Sequence, residues 1–167
     1  NKNKFSIYKK LVDLLLKIQK IKPTSKINSI KGKSYIVHKY SLKHLKKESN
    51  LFFDWYLPLI MNKKKAHKIK NKANKFLYRL YNNLNFPNSY FVHRDYHAQN
   101  LMKFGNKIGV IDSQDALIGN PAYDLVSLVD DVRIKTSNKL KNYVYDYYLK
   151  KTGKSHKTQP KKFLNDF

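Results

Sequence analysis

Apolar positions first recur at helical spacing over residues 5–21, where Ile7, Leu11, Leu14, Leu15 and Ile18 share one face. Lys22-Pro23 stops that pattern, so it predicts an amphipathic helix. Residues 24–34 are polar and carry a Lys31-Gly32 turn signal, which predicts a connector. A second helix is predicted over 41–55, closed by Pro58, with Phe52, Phe53 and Trp55 as an aromatic stripe most simply placed in a core. A third is predicted over 63–84. Its first half is nearly all lysine and asparagine, and its second half offers Phe76, Leu77, Leu80 and Tyr81 for packing. Pro87 then breaks the chain before a different pattern begins.

From Tyr90 the helical period gives way to short extended runs. Residues 90–93 form one apolar segment, and residues 94–100 form a polar loop. Two strands follow at 101–104 and 108–111, joined by Gly105-Asn106, a hairpin turn signal. Such a hairpin returns Asp112 beside the loop that carries Asp95 and Asn100. Three oxygen-bearing side chains distant in sequence are therefore expected to meet. Beyond Asp115, Pro121 is suited to open a helix with Tyr123, Leu125, Val126, Leu128 and Val129 on its apolar face. Asp130, Asp131 and Arg133 make an acidic and basic exit suited to lining an acceptor pocket. A further helix is predicted over 138–150, with Leu140, Val144, Tyr147 and Tyr148 inward. Residues 152–161 are polar and predicted to be mobile, and the last seven residues start a new apolar pattern that stops mid-helix.

Composition narrows the class. With 167 residues and 41% hydrophobic content, the chain suits one globular domain. It has no cysteine, which rules out disulfides and thiolate metal sites. No apolar run is long enough for a transmembrane helix, and the basic start has no cleavage site of a secretory signal, so a cytoplasmic protein is expected. The net charge of +24 suggests nucleic acid or an anionic surface. Yet the only arginines are Arg79, Arg94 and Arg133, and the lysines run from one end of the chain to the other. Arginine is the better residue for bidentate phosphate or guanine contacts. Solvated lysine faces therefore stand beside an anion-binding surface as readings of the charge.

The chemistry concentrates in one stretch. His93-Arg94-Asp95, four residues and then Asn100 follow the kinase catalytic-loop pattern H-R-D-x-x-x-x-N. Phosphoryl transfer needs a carboxylate to orient an attacking hydroxyl, and an amide oxygen with a second carboxylate to hold Mg²⁺. Mg²⁺ accepts one or two protein oxygens and leaves its other positions to water and phosphate. The plain alternative is a surface loop with incidental acids.

The run from His93 to Asn100, followed by Ile111-Asp112 and by Pro121-Ala122-Tyr123-Asp124-Leu125, resembles the aminoglycoside phosphotransferase and choline kinase superfamily. Within it the chain looks most like the bacterial N-acetylmuramate/N-acetylglucosamine anomeric kinases, more loosely upstream at residues 48–58. The resemblance implies an α+β, mainly helical fold: the C-terminal lobe of a protein-kinase-like phosphotransferase, with a small β-hairpin carrying the catalytic and metal-binding residues. It implies ATP and Mg²⁺ as cofactors, with Asp95 as catalytic base and Asn100 and Asp112 as metal ligands. His97 matches a position facing the transferred phosphate, and Asp115 lies near the acceptor. His93 and Asp124 would support the catalytic loop, although Asp124 is equally suited to be a first-turn acid at a helix dipole. Glu48 and Trp55 are candidate acceptor contacts, a carboxylate for sugar hydroxyls and an indole for a ring face, or plain core residues. Ser113 departs from the family, which usually has an aromatic residue there, and this removes a hydrophobic anchor for Asp112.

No G-x-G-x-x-G loop and no strand lysine paired with a helix glutamate occur in the chain. Residues 1–167 are therefore expected to be a partial domain, without its N-terminal nucleotide-binding lobe and truncated at its C-terminus. Alone, it is expected to transfer phosphate poorly or not at all. The function expected of the whole is ATP-dependent phosphorylation of an amino-sugar hydroxyl. One alternative keeps the superfamily with an aminoglycoside, choline or another small alcohol as acceptor. The chain's 11 acids make a cationic acceptor the poorer fit. A second alternative, from another class, is a lysine-rich nucleic-acid or anion-binding module.

Overall fold

A computed structural model describes residues 2–28, 32–83 and 88–153, the side chain of Lys2 excepted. Helices and short antiparallel strands come in separate runs, so the fold is α+β and mainly helical. Two compact units form, Asn1–Lys39 with Phe86–Phe167, and Tyr40–Asn85.

The first unit is organised around three helices: α1 (Lys2–Gln19), α5 (Ala122–Val129) and α6 (Asn138–Thr152). Leu11, Val12 and Leu15 of α1 pack with Leu125, Leu128 and Val129 of α5 and with Leu140, Val144 and Tyr148 of α6. Each such side chain contributes about 1.5–3 kcal/mol on leaving water. The helical stripe in α1 is therefore centred on 11, 12 and 15, whereas Ile7 is 44% exposed. The expected inward face of α6 also shifts: Tyr147 is half-buried and uses its hydroxyl to donate to Asp13, at 2.7 Å.

The connector after α1 is not unstructured. It contains β1 (Lys26–Asn28) paired antiparallel with β2 (Ser34–Ile36), both solvent-exposed; Lys31 of the expected turn lies outside the described residues. The extended segment β3 (Tyr90–Val92) pairs antiparallel with β6 (Leu117–Gly119), a strand the sequence pattern did not single out. The predicted hairpin forms from β4 (Leu101–Phe104) and β5 (Lys107–Val110), with Leu101 opposite Val110 and Phe104 opposite Lys107. Gly105 takes φ +56 at the turn, a conformation open to glycine without a Cβ penalty.

The second unit is α2 (Leu42–Leu51), a π-helical turn at Phe52–Tyr56, α3 (Leu57–Ile60) and α4 (Lys63–Asn82). Pro58 does not close the helix as expected. It sits in the first turn of α3, where its missing N–H goes unused, and the backbone upstream relaxes so that Leu57 N–H donates to Phe52 C=O. Only Phe53 of the expected aromatic core stripe is buried; Phe52 and Trp55 are exposed. The same holds for α4. Ala66 packs with Phe53 and Leu57, joined by Ile69, Ala73 and Leu77, while Phe76 and Leu80 face solvent. The stripe at 66, 69, 73 and 77 follows the helical period, and Phe76 and Leu80 fall off it. The expected end of this helix at Leu84, and Pro87, lie outside the described residues. Thr152, expected in a mobile tail, is buried at the end of α6 and donates its hydroxyl to Tyr148 C=O at 2.9 Å. The rest of that tail and the last apolar pattern lie outside the described residues. No helix among the described residues is long and apolar enough to cross a membrane.

Candidate active site

The site is built where β3 runs out. Val92, 1% exposed, holds the strand in the core, and the chain then turns sharply: Arg94 adopts φ +76. A left-handed non-glycine residue costs roughly 1–2 kcal/mol and persists only where its surroundings impose it. Asp124 imposes it here. From the first turn of α5 its carboxylate accepts the N–H of His93 at 2.8 Å through Oδ2 and the N–H of Arg94 at 2.9 Å through Oδ1. Asp124 is fully buried, and burial pushes its pKa up to about 7, against the two N–H bonds that favour the ionised form.

The next residue, Asp95, is held by its main chain. Its carbonyl accepts the N–H of His97 at 2.9 Å and the side-chain Nδ2 of Asn100 at 3.0 Å. This leaves the Asp95 carboxylate 43% exposed, with His97 Nε2 at 3.9 Å from Oδ1. The imidazole of His97 is itself largely buried, at 12% exposure, and its Nδ1 makes no hydrogen bond. Between them Tyr96 points the other way. It is wholly buried, and its hydroxyl donates to Leu11 C=O in α1 at 2.7 Å, which ties the loop to the core. Burial drives the Tyr96 phenol far above its ordinary pKa, so it stays a donor.

Asn100 ends a short 3₁₀ turn (Ala98–Asn100) and begins the hairpin. Its C=O accepts the N–H of Ile111 at 3.1 Å, so the two ends of the hairpin are hydrogen-bonded neighbours. Asp112 follows at φ +69, a second left-handed non-glycine residue. Downstream, Ser113 C=O accepts Ala116 N–H at 3.1 Å, the bond that turns the chain there. Arg94 Nη1 approaches Asp115 C=O at a long 3.4 Å, and Tyr35 donates to Gln114 C=O at 3.1 Å.

His93 reports the electrostatics of this arrangement. It is 2% exposed, and burial lowers its pKa more than the opposing pull of Asp95, the Ile111 carbonyl and Asp112 raises it. The imidazole therefore stays neutral. Its ring lies by the Ile111 carbonyl, but neither nitrogen reaches hydrogen-bonding geometry. Both Asp95 and Asp112 act on this one ring, so the 93–100 loop and the hairpin exit lie near each other there.

The structure thus brings His93, Asp95, His97, Asn100, Asp112 and Asp124 into one neighbourhood of the first unit, with Asp115 three residues beyond Asp112. Glu48 and Trp55 belong to the second unit. There Glu48 accepts a hydrogen bond from Tyr40, and Trp55 is 75% exposed. Asp130 and Asp131 make local contacts: Asp130 accepts from Lys141 and, at 3.2 Å, from Tyr145, and Asp131 accepts the N–H of Arg133 at 3.0 Å. Among the described residues no three His, Cys, Asp or Glu side chains cluster to hold a metal ion.

Sequence reasoning missed Tyr96 and Gln19, and it placed Tyr148 inward without its hydrogen bond. The Tyr148 hydroxyl donates to Gln19 Oε1 at 2.6 Å, and Gln19 Nε2 donates to Pro121 C=O at 2.9 Å, just ahead of the helix that carries Asp124. All three are buried polar side chains. A glutamine near the end of an otherwise apolar stripe was the only available signal for this network.

The sequence model for "Phosphotransferase enzyme family" matches residues 2–157. The chain is similar to an N-acetylmuramate/N-acetylglucosamine kinase of Neisseria meningitidis, 32% identical over 100 residues, covering 60% of this chain and 30% of that protein. Proteins of the same name from Caulobacter vibrioides and Pseudomonas aeruginosa are 39% and 34% identical over 64 and 87 residues. Those matches cover 35% and 52% of this chain, and 18% and 26% of the relatives. The chain thus spans less than a third of the length of each relative.

Proposed function

This chain belongs to the phosphotransferase enzyme family, and from that premise we propose that it is the C-terminal catalytic lobe of a kinase phosphorylating a hydroxyl of an amino sugar. The acceptor is of the N-acetylmuramate or N-acetylglucosamine kind, the donor is ATP and the metal is Mg²⁺. What supports this reading is that Asn100 bonds through its side chain to Asp95 C=O and through its own C=O to Ile111 N–H, one residue before Asp112, while Asp124 braces the left-handed turn at Arg94. The names of the three relatives support the acceptor class. A kinase that draws on ATP for a soluble sugar works in the cytoplasm.

Each residue then has a role. Asp95 orients the acceptor hydroxyl and receives its proton as the O–P bond forms. Its backbone is clamped by the loop while its carboxylate stays accessible, which suits a base that must meet a substrate. Asn100 and Asp112 hold the metal. The amide Nδ2 of Asn100 is used by Asp95, so its Oδ1 is the atom left for a cation. One amide oxygen and one carboxylate fit the hard, two-ligand protein share that Mg²⁺ accepts. Bound there, the metal would neutralise charge on the phosphates. His97, beside Asp95, faces the transferred phosphoryl group. Asp115 lies toward the acceptor. Asp124 and neutral His93 position the loop and do not touch the reactants.

Residues 1–167 lack the glycine-rich loop and paired lysine that grip the nucleotide from its other side, so full activity needs an N-terminal lobe. In a protein spanning the length of the relatives, coupled ADP release with N-acetylmuramate or N-acetylglucosamine is expected to be Mg²⁺-dependent. Asp95→Asn is expected to lower kcat by at least about a thousandfold, base and orientation being lost together. Unchanged turnover in that variant would overturn the reading.

A further inference from the structure

Behind the hairpin, on the side of β4 and β5 that faces the core, the first unit holds a pocket of about 480 Å³. Its floor is apolar: Leu11 from α1, Leu101 and Ile108 from the hairpin, Leu128 from α5 and Leu140 from α6. Three of these, Leu11, Leu128 and Leu140, are core residues under 8% exposed, so the pocket reaches the main apolar cluster. Protein interiors are close-packed, and a recess of this size lined by core leucines leaves apolar surface without a partner. Its rim is cationic. Lys4, Lys10, Lys103, Lys107 and Lys135 surround it, and no aspartate or glutamate is among its lining residues.

An apolar floor with a ring of one charge selects for a matching molecule. A neutral apolar ligand would leave the rim unused, and a sugar, which could bond Asn3, Ser6, Tyr8, Asn106 and Thr136 of the lining, would still leave the leucine floor without an apolar partner. A compact inorganic anion would gain nothing from the floor. What satisfies both parts is an apolar chain that ends in an anion, its tail on the leucines and its head among the ammonium groups. The long lysine stems also extend the apolar surface toward the mouth while their charges stay in water.

We infer that this pocket binds an acyl-chain anion, a medium-length fatty carboxylate or its phosphate counterpart. Such a ligand is no part of the phosphotransfer reading, and the site stands whether or not that reading does. Its position still matters for the hairpin. Leu101 directly follows Asn100, and Ile108 lies on the strand leading to Asp112, so an occupant packs against the inner face of the element that presents both residues.

Isothermal titration calorimetry of the chain with hexanoate, octanoate and decanoate below their micelle concentrations tests this, with decylamine as the cationic control. Affinity is expected to rise about fourfold per methylene, the buried-methylene value of ~0.8 kcal/mol converted to a ratio, and decylamine to bind at least tenfold more weakly than decanoate. Decyl phosphate in a parallel arm tells a carboxylate head from a phosphate head. The exposed double variant Lys103→Glu/Lys107→Glu is expected to weaken decanoate about tenfold with an unchanged melting midpoint. Ile134→Trp, which narrows the mouth, is expected to abolish binding. Affinity that ignores chain length, decylamine binding as well as decanoate, or no heat at millimolar ligand would each overturn the assignment. So would binding that fades as the chain self-associates, which would give the pocket to a second copy.

Discussion

The two units solve the burial problem differently. In the first, α1, α5 and α6 bring Val12, Leu15, Leu125, Val129, Val144 and Tyr148 to zero exposure, and buried polar groups are threaded through that core. Asp124, Tyr96 and the Gln19–Tyr148 pair each reach across to backbone or side chains far away in sequence. In the second, the cluster is Phe53, Leu57 and Ala66, while Phe52, Trp55, Tyr56, Leu59 and Ile60 stand about half exposed or more. A buried polar network tolerates few arrangements, because every unmade bond costs more than a made one contributes. A small apolar cluster tolerates many. The first unit is therefore suited to hold reacting groups in place, and the second to present a surface.

The strongest way to break this contrast is at Asp124. Asp124→Ala strands the buried N–H groups of His93 and Arg94, and a loss of about 3–5 kcal/mol in unfolding free energy is expected in urea titration. The pH dependence has a definite sign. The folded pKa of Asp124, about 7, lies above its ordinary value of 3.8, so the folded chain holds a proton that the unfolded chain has released between those values. This contribution to stability is complete below about pH 3.8 and is lost as pH rises through 7. Asp124→Asn is expected to flatten that part of the profile of folding free energy against pH. An identical slope in the variant would assign the dependence elsewhere.

Phe53→Ala is expected to cost about 3 kcal/mol, felt within the second unit. Amide exchange should rise across α2 and α4 while Val92, Leu125 and Val144 keep their protection. Equal loss of protection in both units would make them one cooperative block. A finer probe is Tyr148→Phe, which leaves Gln19 Oε1 unpaired in the core and is expected to lower stability by about 1–2 kcal/mol, read from the denaturation midpoint. The smallest effect is expected at Trp55→Ala, within about 0.5 kcal/mol for an exposed side chain.

Local information in the chain was read well where neighbours in sequence decide the outcome. The hairpin needed only alternating residues around Gly105-Asn106, and its register follows from that turn. The helix from Ala122 to Val129 followed from its apolar face. Reading failed where burial depends on a partner: Phe52, Trp55, Phe76 and Leu80 look like core residues in a window of sequence, yet face water. It failed again at Pro58, because a helix break is a local default that a π-turn can absorb. Strand β6 escaped notice since three residues become a strand only when β3 lies alongside.

Sequence alone determined the residue types and spacing of the candidate stretch, from His93 through Asn100 to Asp112, and the hairpin between them. It did so because turn chemistry and side-chain period act over a few residues. Only the tertiary structure decided that Arg94 turns left-handed with its N–H on Asp124, that Tyr96 anchors the loop to α1, and that Gln19 ties α1 to Pro121. Those outcomes rest on hydrogen bonds between groups up to 102 residues apart, and a bond of that reach leaves no periodic trace in either partner's neighbourhood.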